Sequence, residues 1–277
     1  MSRAKLLAGS LVASELSVLF RRRRTWAMLF TISMIPILLA IAVKLSGSTI
    51  PPGEGPPFLD RVSQNGLFVG FTAMILAIPL FLPLTIGVVA GDTIAGEAST
   101  GTLRYLLVAP VNRARLLVVK FVGAGAFAIA AAVTLMVTGI IIGVILFPVG
   151  PVTLLSGDVI SIPAALLRIF FVIVYVTISL LGLSAVGLFI STLTVIPVGA
   201  MAATVVFSTV MQILATLPQI AVIHPFLISY NWLGFADLLR NPMSFGSMIS
   251  NTLLQLAYIA IFGSLAYSRF TSKDILS

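Results

Sequence analysis

Six apolar runs, each long enough to cross a bilayer and nearly free of charge, dominate this sequence. They lie at about Trp26–Leu45, Phe68–Ala90, Leu116–Phe147, Ile162–Ile190, Thr194–Leu217 and Met248–Ala266. A spanning helix needs roughly 20 apolar residues, since lipid offers its backbone no hydrogen bonds. The runs are continuous, whereas barrel strands alternate, so helices are expected. Only 9% of the residues are charged and 59% are hydrophobic; a soluble domain carries about 25% charged residues. The expected fold class is therefore all-α: a polytopic membrane protein with six transmembrane helices forming a single domain over 1–277. The third and fourth runs exceed the bilayer thickness, so they tilt, kink or protrude.

The net charge of +8 in a soluble chain would suggest nucleic acid. Here it reads as the positive-inside bias, and no nucleic-acid partner is expected. With a cytoplasmic N-terminus, twelve of the sixteen Lys and Arg residues lie inside, and Lys44, Arg61, Arg168 and Arg240 lie outside. Both termini are thus expected in the cytoplasm, and 91–115 becomes a cytoplasmic loop. The first apolar run follows Arg21–Arg24 and reads as a signal anchor. Cysteine is absent and His224 is the single histidine, which excludes disulfides, thiolate metal sites and multi-His metal sites.

Before the first run, Leu6, Leu7, Leu11, Val12, Leu16, Leu19 and Phe20 recur at helical spacing among polar residues. Residues 1–24 are expected to form an amphipathic interfacial helix against membrane lipid, pinned by Arg21–Arg24. On the other side, the four prolines of 46–66 forbid regular structure, and the turn around Gly150 and Pro151 is short. The semi-polar stretch 218–247 is expected to be an extracytoplasmic cap.

The densest long polar stretch is GDTIAGEASTGTLRYLLVAPVNRARLLVVK at 91–120. Gly96 and Gly101 have the spacing of a P-loop, but Thr102 and Leu103 follow where lysine and a hydroxyl residue are needed. Nucleotide binding by this chain is excluded. A helix start fits better: Asp92 and Thr93 would cap open N–H groups, Glu97 would sit near a helix N-terminus, and Gly101 would mark a turn. Leu103, Leu106, Leu107 and Val111 then form an apolar side that Pro110 ends, and Arg113, Arg115 and Lys120 lead back into the membrane. A short helix, a proline turn and a basic re-entry have the shape of a docking element.

The ordered series Glu97, Gly101, Thr102, Leu103, Pro110, Arg113 and Lys120 resembles the type 2 ABC transporter permease family, as do the six spans and the N-terminal helix. The resemblance covers essentially the whole chain. It implies an ABC exporter in which two permease chains, identical or paralogous, assemble with two ATP-binding subunits. The loop between spans two and three would hold the coupling helix, placing Glu97, Gly101, Thr102, Leu103, Arg104 and Arg113 at the ATPase interface. This chain would carry no cofactor, with ATP and magnesium on the partner subunit, and it would not itself be an enzyme. The setting implied is the inner (plasma) membrane of a prokaryote.

No acidic residue lies well inside a run, whereas ion-driven carriers usually keep a carboxylate at membrane depth. An apolar or amphipathic substrate, or one entering sideways from lipid, is expected. Pro79 and Pro83 should kink the second span and are the candidate hinge. In the family, spans two and five line the dimer interface and the path, which makes Thr204, Phe207, Ser208 and Gln212 candidate path-lining residues. Small residues of span three, with Gly139 and Gly143 four apart, suit close helix packing. The alternative is a stand-alone secondary transporter or lipid scramblase. A membrane-embedded enzyme is least expected, because no span carries catalytic His, Cys or paired carboxylates.

Overall fold

The computed structural model describes residues 3–46, 57–101 and 113–272. Among them the α-helices are α1 (Arg3–Arg21), α2 (Arg23–Ser46), α3 (Pro57–Gln64), α4 (Phe68–Ala77), α5 (Phe81–Ser99), α6 (Arg113–Leu146), α7 (Ile162–Leu193), α8 (Pro197–Ala215) and α9 (Gly246–Ser272). Six of these, α2 and α5 to α9, are long and apolar enough to cross a membrane. The fold is the expected all-α bundle. Its two strands in the described residues, Val152–Thr153 and Val159–Ile160, make a small antiparallel hairpin in the connection that the sequence suggests to be a simple turn.

Five spans fall where the hydropathy places them, with ends moved by a few residues. The second does not. Phe68–Ala90 is expected as one kinked helix, but it is two helices, and the second runs on to Ser99. The interruption covers Ile78–Leu80, where Pro79 has no N–H to give to the preceding turn. Pro83 sits in the first turn of α5, where an N–H would have no partner within the helix.

Burial ranks the spans. The apolar window of α7 is 61% buried, which makes it the central helix; those of α8 and α9, at 17% and 11%, are peripheral. Two glycine pairs set the crossing of α4 on α6. A methyl carbon built on Gly143 would fall 2.0 Å from the carbonyl oxygen of Gly66, and one on Gly139 would fall 2.6 Å from the Cα of Gly70. The expected close packing of span three is thus backbone against backbone, with a matching four-residue glycine spacing on the partner. Gly91 plays the same part where α5 meets α8, a methyl carbon there falling 2.7 Å from the backbone nitrogen of Met201.

The junction of α1 and α2 is tight. The last carbonyls of a helix lack internal partners. Here Thr25 Oγ1 donates to the carbonyl of Leu19 at 2.6 Å, and the Trp26 indole donates to that of Phe20 at 2.7 Å. The half-buried residues of α1 from Leu11 on are Leu11, Val12, Glu15, Leu16, Leu19 and Phe20, a single stripe at helical spacing.

At the far end, Pro218–Phe226 and Gly234–Leu239 are 3-10 stretches. This segment is anchored by polar side chains of the spans. Arg168, 6% exposed, donates to the carbonyls of Leu238 at 3.0 Å and Arg240 at 2.8 Å. Tyr175 donates to the carbonyl of Asn231. Gln255, fully buried, donates to that of Ile228 at 3.0 Å, in the space left by Gly182. Trp232 and Phe235 fill the interior beneath.

Candidate coupling site

The opposite end of the bundle gathers the charges. Gly91–Ser99, expected in a loop, are the last turns of α5. The capping roles expected of Asp92 and Thr93 are therefore corrected: both lie inside the helix, and Thr93 Oγ1 donates to the carbonyl of Ala90. Glu97 sits near a helix C-terminus rather than an N-terminus. Carboxylates there oppose the helix dipole, so they need cations.

Those cations come from two other elements. Asp92 accepts from Arg22 at 3.0 Å and from Arg24 at 2.5 Å, both on the α1–α2 junction. Lys120, about two turns into α6 and 4% exposed, donates to Glu15 of α1 at 2.8 Å and also to Glu97 of α5. Two glycines make room: a methyl carbon on Gly96 would fall 2.6 Å from Asp92 Oδ1, and one on Gly123 would fall 3.2 Å from Glu15 Cγ. The crevice between these side chains measures about 20 Å³, the space of roughly one water.

Serine 191 of α7 fixes the same region from inside, its hydroxyl accepting from the backbone N–H groups of Ile94 at 2.9 Å and Ala95 at 2.8 Å. Past Ser99, Gly101 has φ +74°, the left-handed conformation in which glycine ends helices. It marks a turn, as expected. Thr102, Leu103 and Arg104 lie outside the described residues. Arg113 opens α6 and donates to the carbonyls of Phe270 at 3.2 Å and Thr271 at 3.0 Å in the last turn of α9, a favourable place for a cation.

The expected path residues do not form one open surface in the single chain. Thr204 and Ser208 are buried, with hydroxyls bonded to the carbonyls of Ala200 and Val205 in their own helix. Phe207 lies edge-on to Phe262 of α9, and Gln212 is half-buried. A groove of about 460 Å³ does open between α6, α7 and α9, lined by Leu117, Phe121, Leu188, Ile259, Gly263 and Tyr267 among others.

The sequence singles out Glu97 and the entry of Lys120 into a span, but not their pairing, and it shows Glu15 only as a polar residue of the amphipathic helix. A lysine inside an apolar run is itself a signal, because at such a depth it needs a partner. Arg22 and Arg24, expected as a topology signal and lipid anchors, also pair with Asp92.

Six apolar helices with their charge confined to the ends describe an integral membrane protein, and the comparisons supply its class. A family model described as ABC-2 family transporter protein matches residues 11–199. The chain belongs to that family: it is a multi-pass membrane transport permease of the kind that associates with ABC ATP-binding subunits. No curated protein matches the chain. The matched stretch includes Glu15, Asp92, Glu97 and Lys120 and stops three residues into α8.

Proposed function

We propose that this chain is the transmembrane subunit of an ATP-driven ABC exporter, and that the stretch between α5 and α6 is where a separate ATPase subunit docks. One observation carries this reading: the two helix ends that bracket 102–112 are the ones tied down by the ion pairs of Glu97, Lys120 and Asp92. A push on the bracketed stretch would reach α5, α6, α1 and, through Arg113, α9. ATP and magnesium stay on the partner. Two ATPase copies and a second permease chain, identical or paralogous, complete the assembly in a prokaryotic inner membrane.

In this reading Gly101, Thr102, Leu103 and Arg104 meet the ATPase. Glu97 and Arg113 hold the base of the docking element. Leu103→Asp places a charge on the apolar side of that element. It should lower copurified ATPase at least about tenfold, equivalent to ~1.4 kcal/mol, with no change in the amount of permease. An unchanged yield of ATPase would place the contact elsewhere. The interruption at Pro79 is the hinge between α4 and α5, and Thr204, Phe207, Ser208 and Gln212 come to line the path when α8 moves from α5 and α7. The substrate is apolar or amphipathic, in keeping with spans whose described carboxylates, Asp92 and Glu97, both sit at one end.

Both termini and the docking stretch are cytoplasmic in this reading. The chain has no cysteine, so single cysteines at Ser99 and Ser63, both exposed, test the orientation. An impermeant thiol reagent should label position 63 in intact cells and position 99 only after permeabilisation. Labelling of position 99 in intact cells would invert the topology.

A further inference from the structure

We propose that Lys120 is a positioning residue that makes the N-terminal helix part of the coupling machinery. It ties α1 and the last turns of α5 to α6, so that the three move as one body when the ATPase pulls. This rests on the exporter reading above.

The geometry points to a tie and not to a surface ion pair. Lys120 is buried, and its ammonium is shared by carboxylates from two other helices, 105 and 23 residues away. Glu15 and Glu97 side chains are 22% and 18% exposed. Between partly desolvated charges the attraction is weakly screened. Gly123, one turn below Lys120, lets the Glu15 side chain lie against α6. Arg22 and Arg24 add a second tie from the α1–α2 junction to Asp92, five residues before Glu97. The six charges of the two ties cancel, three cations against three anions. With Glu15 alone neutralised, α1 keeps its apolar stripe but loses its polar lock on α6. With Lys120 neutralised, α1 and α5 each keep a carboxylate that has lost its shared cation.

A helix held this way would follow α5 and α6 rigidly. Its length and its tie to the two helices that bracket 102–112 make it a lever between the ATPase and the membrane surface. If α1 were only an anchor in lipid, its distance to α5 would be free to vary as the transporter cycles.

Spin labels on cysteines at Ser17 in α1 and Ser99 at the end of α5, both exposed, test the tie. In the full-length chain in lipid nanodiscs, the distance between them should be narrowly distributed. It should broaden in Lys120→Met and in Glu15→Gln, with Lys120→Arg recovering part of the wild-type width. In the complex assembled with the ATPase, transport per ATP should fall about tenfold in Glu15→Gln, within the usual range of coupling effects, while ATP turnover is kept. A purely structural role would lower both together. An unchanged distance distribution in both neutralised variants would overturn the proposal, as would a broadened one with unchanged transport per ATP. Transport by the wild-type chain without any ATPase would overturn the exporter reading, and the coupling role with it, whatever the distances; failure of the tie alone would show as unchanged distances while transport still requires the ATPase.

Discussion

Gly143→Val should abolish most of the folded protein. The first atom of the new side chain would fall 2.0 Å from the carbonyl oxygen of Gly66 and 3.0 Å from a methyl of Val69. Neither α4 nor α6 can yield there without opening the rest of their contact, since Gly70 and Gly139 meet one turn deeper. Overpacking of interiors costs about 1–3 kcal/mol when side chains can adjust, occasionally more. Here the obstacle is backbone, so ~3 kcal/mol or more is expected. Asn65, which donates to the carbonyls of Gly150 and Pro151 at 2.9 and 3.2 Å, would be displaced with it. Gly263→Ala is the control. Nothing lies within 4 Å of a methyl there, and alanine favours a helix over glycine by up to about 1 kcal/mol. Monodisperse yield and thermal midpoint in detergent should collapse for Gly143→Val and hold or rise for Gly263→Ala. Equal behaviour of the two would mean that α4 and α6 do not touch along their glycines.

Arg168→Met should loosen the segment between α8 and α9 while leaving the charged end intact. Arg168 serves two carbonyls, those of Leu238 and Arg240. Methionine matches much of the stem but donates nothing. A hydrogen bond from a charged donor contributes about 1.5–3 kcal/mol, so the loss should be about 3 kcal/mol once the carbonyls find water. The readouts are a lower thermal midpoint and faster proteolysis within 218–247. The pairing of α1 with α6 lies at the opposite end and should not change. A midpoint and a cleavage rate equal to wild type would show that the Arg168 guanidinium is dispensable to this segment.

What hydropathy could show was the number of spans and their approximate ends, because burial in lipid demands about 20 apolar residues whatever the helix packs against. Pro79 was legible as a disruption, though not as a full break followed by an extension of α5 to Ser99. Aspartate 92, Gly96 and Glu97 have the composition of a helix start, and that local signal lost to a tertiary one. Arg22, Arg24 and Lys120 stabilise carboxylates at a helix C-terminus that would otherwise disfavour them. The glycines at 139 and 143 could be read as a packing face, but their partners at 66 and 70 could not, since Gly66 sits among residues that look like loop. Glu15 is one acidic residue on an amphipathic helix, and nothing in its neighbourhood announces a lysine 105 residues away. Pairings of that kind belong to the three-dimensional arrangement. The Ser191 hydroxyl of α7, which accepts from the backbone of α5, and the Arg168 anchor at the far end are of the same sort.

The central claim is that this permease draws its energy from a separate ATPase. The direct measurement is copurification of the tagged chain from its native membranes, with partners identified by mass spectrometry and ATP turnover assayed in the same fractions. A subunit bearing a Walker lysine should come down with the chain, and turnover should appear only in fractions that contain it. Substrate transport by the chain alone, driven by an ion gradient and indifferent to ATP, would contradict the claim and favour a stand-alone carrier.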